Sequence, residues 1–210
     1  MIFVSSPLKC TTIMKNKTCY LFVFNGYSDW EPALAAASLQ QFSEYEVRPF
    51  SIDGKAVISA ANLQVIPQLS LAELDATLAD IVILPGGAAW AEGKNREISP
   101  FIQDVLRKGK LLAAICDATL YLASQGILDN IPHTSNDLGL LKEAVPEYKG
   151  ETNYVNKPAV TTDQVITANG AAGTAFALAI VSRLGLLENE QFAFWFGFFH
   201  KPEFQSLWHE

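Results

Sequence analysis

The sequence predicts an α/β fold: a mostly parallel sheet covered by helices on both faces. Short runs that are apolar at every position, such as Ile81-Val82-Ile83-Leu84 and Leu111 to Ile115, mark strands buried on both sides. Helix-like segments alternate with them, as βαβ units require. Gly, Pro and Asp-Gly or Asn-Gly pairs punctuate the boundaries.

Each element follows in order. Tyr20 to Phe24 is an apolar run closed by Asn25-Gly26, and it reads as the first strand. Pro32 favours a first helical turn, so a helix begins near Glu31 or Pro32 and runs through the Ala/Leu/Gln-rich stretch to Phe42. Tyr45 to Ile52 is a second strand ending at the turn Asp53-Gly54. Val57-Ile58 and Val65-Ile66 pair as a small ribbon, and Leu71 to Leu78 is a short helix. Ile81 to Leu84 ends at Pro85-Gly86-Gly87. Pro100 to Lys108 is a helix with Gly109 just past its end. Leu111 to Ile115 leads through Cys116 into a helix from Asp117 to Gln125, closed by Gly126. Asp137 to Ala144 is a further short helix. Ala159 to Thr161 and Gln164 to Thr167 are β-rich, and Ala172 to Leu184 is a long apolar helix. No repeat or linker divides the chain, so residues 18–210 read as one domain. Residues 1–17 read as a loosely attached extension, with Met14 a possible natural start.

Bulk properties narrow the function. Of 210 residues, 50% are apolar and 18% charged, ordinary for a globular protein with a sizeable core. A formal net charge of -7 argues against nucleic-acid and anionic-membrane partners. No apolar run approaches the roughly 20 residues that span a bilayer. The 3 cysteines, Cys10, Cys19 and Cys116, form neither a disulfide framework nor a CxxC pair, which points to a reducing, cytoplasmic setting. The 3 histidines, His133, His200 and His209, are not spaced as metal ligands with those cysteines, so no metal is expected.

In open α/β sheets, sites lie beyond the carboxyl ends of the strands. That rule collects Asn25 to Glu31, Gly86 and Gly87, Cys116, and Asn169 with Gly170 on one edge. Cys116 stands at a strand-to-helix corner, the arrangement that holds a nucleophile out from a sheet. Amides of the following helical turn favour a thiolate and would lower the pKa below its usual ~8.5. Asp117 suits the helix start by its charge; that same charge opposes a thiolate, which makes it a poor base for the thiol. His133, in the loop after the helix that Cys116 opens, is the candidate imidazole for Cys-His catalysis. A buried structural cysteine and a loop histidine bonded to backbone are the competing readings. The amides of Gly86, Gly87 and Asp117 are candidate oxyanion donors. Asn169 and Gly170 are candidate substrate-lining residues. Glu31 would have to hold a proton beside a thiolate, which burial favours. Neither Gly86-Gly87 nor Asn169 to Gly173 has the GxGxxG spacing of a dinucleotide site or a P-loop lysine, so no cofactor is expected.

Together these pieces resemble the ThiJ/PfpI superfamily, which has a class I glutamine-amidotransferase-like fold. The matching stretches are "LFVFNGYSDWEPALAA", "ADIVILPGG", "LLAAICDATLYLASQGILD", "HTSN" and "KPAVTTDQVITANGAAGTAFALAIV", in family order from about Tyr20 to Leu184. The resemblance implies a flavodoxin-like three-layer sandwich with Cys116 at the nucleophile elbow and Glu31 as the acid beside it. It makes His133 a plausible catalytic or site-lining histidine. It also implies dimers or larger oligomers, and activities ranging over amidases, glyoxalases, deglycases, chaperones and oxidative-stress sensors. Members assigned peptidase chemistry commonly carry His directly after the Cys; here Asp117 stands there, which weakens a protease reading. The acidic third member of a triad is not identifiable. The aromatic tail, Glu188 to Glu210, reads as a packing helix or an oligomer contact.

Two functional expectations follow. One is a cysteine-dependent, hydrolase/amidase- or glyoxalase-like enzyme acting on a small carbonyl or amide substrate. The other is a non-enzymatic redox-sensing or stress-response protein with an oxidisable Cys116. An inactive binding module would show an ordinary thiol at Cys116.

Overall fold

A computed structural model describes residues 13–188 together with Glu190, Phe192 and residues 195–197. Most of the expected N-terminal extension and of the aromatic tail lies outside the described residues.

The chain runs β1 (Lys17–Phe22), α1 (Trp30–Phe42), β2 (Tyr45–Ser51), β3 (Val57–Ile58), β4 (Gln64–Val65), β5 (Leu69–Ser70) and β6 (Ile81–Leu84). It continues with α2 (Ser99–Arg107), β7 (Leu111–Ile115), α3 (Ala118–Ser124), α4 (Leu138–Ala144), β8 (Ala159–Thr161), β9 (Val165–Ala168) and α5 (Gly173–Arg183). The main sheet has 7 strands in the order β5-β2-β1-β6-β7-β9-β8. Every pairing in it is parallel except β8 with β9. The connection β1-α1-β2 steps one way from the centre, and β6-α2-β7 steps the other. Right-handed crossovers therefore put α1 and α2 on opposite faces. α5 packs beside α1, while α2 and α3 pack on β7, giving helices on both sides of the sheet.

The apolar runs form strands because both faces are covered: β6 and β7 are buried at every residue. Phe22, Phe50 and Trp90 pack with tilted rings in the core, with Phe22 centred 5.1 Å from Phe50 and 5.8 Å from Trp90. Asp137 caps α4, its carboxylate accepting from the Leu140 amide, as an Asp before a helix should.

Differences from the sequence reading are local. The segment from Leu71 forms only a 3-10 turn, Leu71–Glu73, because Ser70 and Glu73 close a capping box and the chain then extends at Leu74. β5 is a two-residue edge strand the apolar pattern did not mark. Lys17 opens β1, and Lys15 donates to the carbonyls of Gln40 and Ser43. From the tail, Phe192 and Trp195 pack on Phe42, at ring separations of 6.0 and 5.3 Å. Among the described residues, no helix is long and apolar enough to cross a membrane.

Candidate active site

The carboxyl ends of β1, β6, β7 and β9 open on one edge of the sheet, because these strands are parallel neighbours. Cys116 follows β7 directly, with φ of 59° in the left-handed region. A non-glycine residue there is held at an energetic cost. Its amide donates to the Ala168 carbonyl (2.9 Å), which pins the corner to the end of β9. Its carbonyl accepts from the Thr119 amide (3.0 Å) and hydroxyl (2.6 Å), which starts α3. The thiol is left half-buried at the junction.

Two glycines make room for it. A Cβ on Gly86 would lie 2.9 Å from Sγ and 2.8 Å from Glu31 Oε2, and one on Gly170 would lie 2.7 Å from Sγ and 3.2 Å from Glu31 Oε1. Glu31 and Cys116 therefore share both glycine walls. Glu31 sits in the first turn of α1 and is 1% exposed. Its Oε2 accepts the Gly86 amide at 2.7 Å, while Oε1 is buried without a strong hydrogen-bond partner. Burial raises its pKa above the ordinary carboxylate value.

Asn136 closes the site from the other side. Its Nδ2 donates to Sγ (3.3 Å) and to Asp117 Oδ1 (3.0 Å), and its Oδ1 accepts from the Gly170 amide (2.8 Å). One carboxamide thus ties the β7 corner to the end of β9. The thiol also faces Asp117 Oδ1 at 3.8 Å. Asp117, half-buried, is itself shifted up, chiefly by burial.

Several expectations need correction. The helix-start amides do not set the thiol's acidity: burial outweighs them and, with the charges of Glu31 and Asp117, pushes the thiol up to about 12, against the lowering by the Asn136 hydrogen bond. His133 does not reach the sulfur. Its Nδ1 pairs with the Ile131 carbonyl (2.7 Å) and its Nε2 with the Tyr148 hydroxyl (2.5 Å), and the ring is fully buried. Burial lowers its pKa, so the neutral ring is favoured. The Gly86 amide serves Glu31, which removes it from the oxyanion donors. Among the described residues, no acceptor takes the Gly87 or Asp117 amide. Gly170 lies against the thiol, whereas the Asn169 side chain turns back to accept the Ala171 amide.

Sequence reasoning passed over Asn136 while naming its loop. An exposed Asn three positions past His133 looks like any turn residue. What builds it into the site is the loop's anchoring: His133 exchanges backbone bonds with Asn153 and Val155, the Thr134 amide bonds Thr167, and Ser135 bonds Thr119. Among the described residues no cluster of His, Cys, Asp and Glu is arranged to hold a metal.

Comparison with known proteins matches residues 17–183 to the DJ-1/PfpI family. The chain belongs to this family. A Bacillus subtilis relative named as the uncharacterized protease YoaZ is 34% identical over 200 residues, 91% of this chain and 95% of that one. The Drosophila protein dj-1beta is 31% identical over 66% of this chain and 73% of its own length. Among solved structures, the thiJ/pfpI family protein of Bacillus anthracis matches with a TM-score of 0.83 at 33% identity, covering 92% of this chain and 95% of that chain. The DJ-1 superfamily protein Atu0886 of Agrobacterium tumefaciens matches with a TM-score of 0.80 at 32% identity, covering 88% and 100%. Across the DJ-1/PfpI match, Glu31, Gly86, Cys116, Asn136 and Gly170 all fall inside the matched span.

Proposed function

We propose that this DJ-1/PfpI protein is a cysteine-dependent enzyme acting on a small carbonyl or amide compound. One observation carries the reading: a half-buried thiol on a left-handed corner, wedged between a buried carboxyl with one oxygen lacking a strong hydrogen-bond partner and the Asn136 amide. A nucleophile elbow at Cys116 fits that geometry.

Sγ attacks the substrate carbonyl carbon while the thiol proton passes to Asp117 Oδ1, which lies 3.8 Å away and, contrary to the poor base its charge suggests, is made more basic by burial. The carbonyl π electrons move to oxygen, and the free amides of Gly87 and Asp117 hold the resulting oxyanion. Burial raises the Glu31 pKa and so favours its protonated form, in which the carboxyl can donate a hydrogen bond beside the sulfur. With an aldehyde the oxyanion takes the proton back from Asp117, and the product of this step is a hemithioacetal. With an amide the C–N bond breaks, the leaving nitrogen takes the proton from Asp117, and water hydrolyses the thioester. His133 acts at a distance, holding the loop that presents Asn136. Peptidase chemistry draws no support from this site, because Asp117 stands where an adjacent imidazole would be. Cys116→Ala, assayed with a panel of α-oxoaldehydes and amides, tests the reading: turnover is lost, and turnover equal to wild type excludes it.

A second reading is favoured by the donors around the sulfur. Asn136 Nδ2 and a protonated Glu31 would both stabilise a sulfinate formed when two equivalents of hydrogen peroxide oxidise the thiol and leave as water. Mass spectrometry after mild peroxide distinguishes it: selective oxidation of Cys116 supports sensing, and equal oxidation of Cys19 and Cys116 opposes it. Free Cys19 and Cys116 also suit a reducing cytoplasm. Exposed Trp30, Leu63 and Ile66 on the β3–β4 ribbon and the adjoining α1 start suit a homo-oligomer, to be checked by sedimentation.

A further inference from the structure

Two clefts, of about 550 and 540 Å³, lie at the ends of β1 and β2 and beside α2, and neither is lined by Cys116, Glu31 or Asn136. A third cleft of about 360 Å³ differs, because Asp117 and Asn136, both bonded at the thiol, line it as well. Its other walls are Leu120, Leu140, Leu141 and Ala144, from α3 and α4. The volume suits a small organic group rather than a polymer. Leu140, 59% exposed, presents its side chain to this cleft.

Charge narrows the occupant further. Asp117 and the exposed Glu143 are the ionisable groups lining the cleft, and no lysine or arginine lines it. The nearby Lys142 is held by Glu151 at 2.7 Å. An anion in the cleft would meet Asp117 and Glu143 with no counter-charge among the lining residues.

We propose that this cleft is the substrate's side pocket. It takes the apolar group, such as a benzyl or branched alkyl, of a neutral or cationic carbonyl or amide compound whose reactive carbon lies against Cys116. Small dicarboxylates, phosphorylated sugars and other anions are excluded. The inference rests on Cys116 as the reacting group of the proposed enzyme. Its test reads the pocket without needing turnover.

The probes are iodoacetamide, N-benzyl iodoacetamide and iodoacetate, with alkylation of the Cys116 peptide followed by mass spectrometry. Each rate is divided by that of the same probe with glutathione. The benzyl probe is expected to react about tenfold faster than iodoacetamide on this scale, the discrimination a small apolar pocket supplies. Iodoacetate is expected to be several-fold slower. Ala144→Phe, which fills the cleft, and Leu140→Asp, which charges an exposed wall, each bring the benzyl preference back towards one; a thermal melt confirms that each variant folds. Glu143→Gln raises the relative iodoacetate rate. A benzyl preference absent in wild type, or retained in both cleft variants, overturns the proposal. Because Cys116→Ala turnover is a separate measurement, the pocket can fail while the enzyme reading stands, and the reverse.

Discussion

Two buried ionisable sites lie along the loops that end this sheet, and they are built on opposite terms. At His133 both ring nitrogens are matched, one to a carbonyl and one to a tyrosine hydroxyl, and two tyrosine rings pack edge-on against the imidazole. At Cys116 the backbone is left-handed, the neighbouring carboxyl keeps one buried oxygen without a strong partner, and burial shifts all three ionisable groups upward. A satisfied buried polar group holds structure in place. An unsatisfied one is retained at a cost, and such costs gather where chemistry is done. On the proposed function, the imidazole is scaffolding and the thiol is the reacting group, the reverse of the importance that residue type alone would give a histidine.

The sharpest break of that contrast is removal of each centre. Cys116→Ala takes turnover on the responsive carbonyl or amide to the uncatalysed background, whereas His133→Phe leaves most of it. Glu31→Gln, which keeps an acceptor for Gly86 and removes the ionisable proton, lowers turnover by about a hundredfold, within the range for loss of an acid–base group. Asn136→Ala is smaller. It deletes the hydrogen bond that lowers the thiol's pKa, so the pH midpoint of Cys116 alkylation rises and the rate near neutral pH falls by about threefold to tenfold.

His133→Phe shows its effect in stability. It strands the Tyr148 hydroxyl at a cost of about 1–3 kcal/mol, read as a lower thermal midpoint. The two sites also carry opposite pH slopes. The folded-state pKa of His133 is depressed, so its contribution is complete above the ordinary value of 6.5 and is lost as pH falls through that value towards the folded one. The folded-state pKa of Glu31 is raised, so its contribution is complete below the ordinary value of 4.5 and is lost as pH climbs through the folded one. Thermal midpoints across this window should lose their acid limb in His133→Phe and their alkaline decline in Glu31→Gln. Parallel curves for wild type and both variants would contradict the assignment.

Much of this architecture could be read from residue order. Continuous apolar runs such as Ile81–Leu84 carry their burial in their composition, and the strand-end rule then gathers Glu31, Gly86, Cys116 and Gly170 without any motif. Other features depend on depth and direction, which a one-dimensional pattern does not hold. The thiol's pKa turns on how much water reaches Sγ, and the helix-start argument had no measure of that. Choosing between His133 and Asn136 turns on which residue of one short loop faces the sulfur, and that is decided by partners as distant in sequence as Asn153 and Thr167. β5 is two residues long, too short to show alternation.

The central claim is that the sulfur of Cys116 and the carboxyl of Glu31 titrate as one coupled unit from which His133 is insulated. The pH profile of Cys116 alkylation in wild type, Glu31→Gln and His133→Phe tests it most directly. The account predicts a displaced midpoint for Glu31→Gln and superimposable curves for wild type and His133→Phe. A profile that ignores Glu31 and moves with His133 would contradict it.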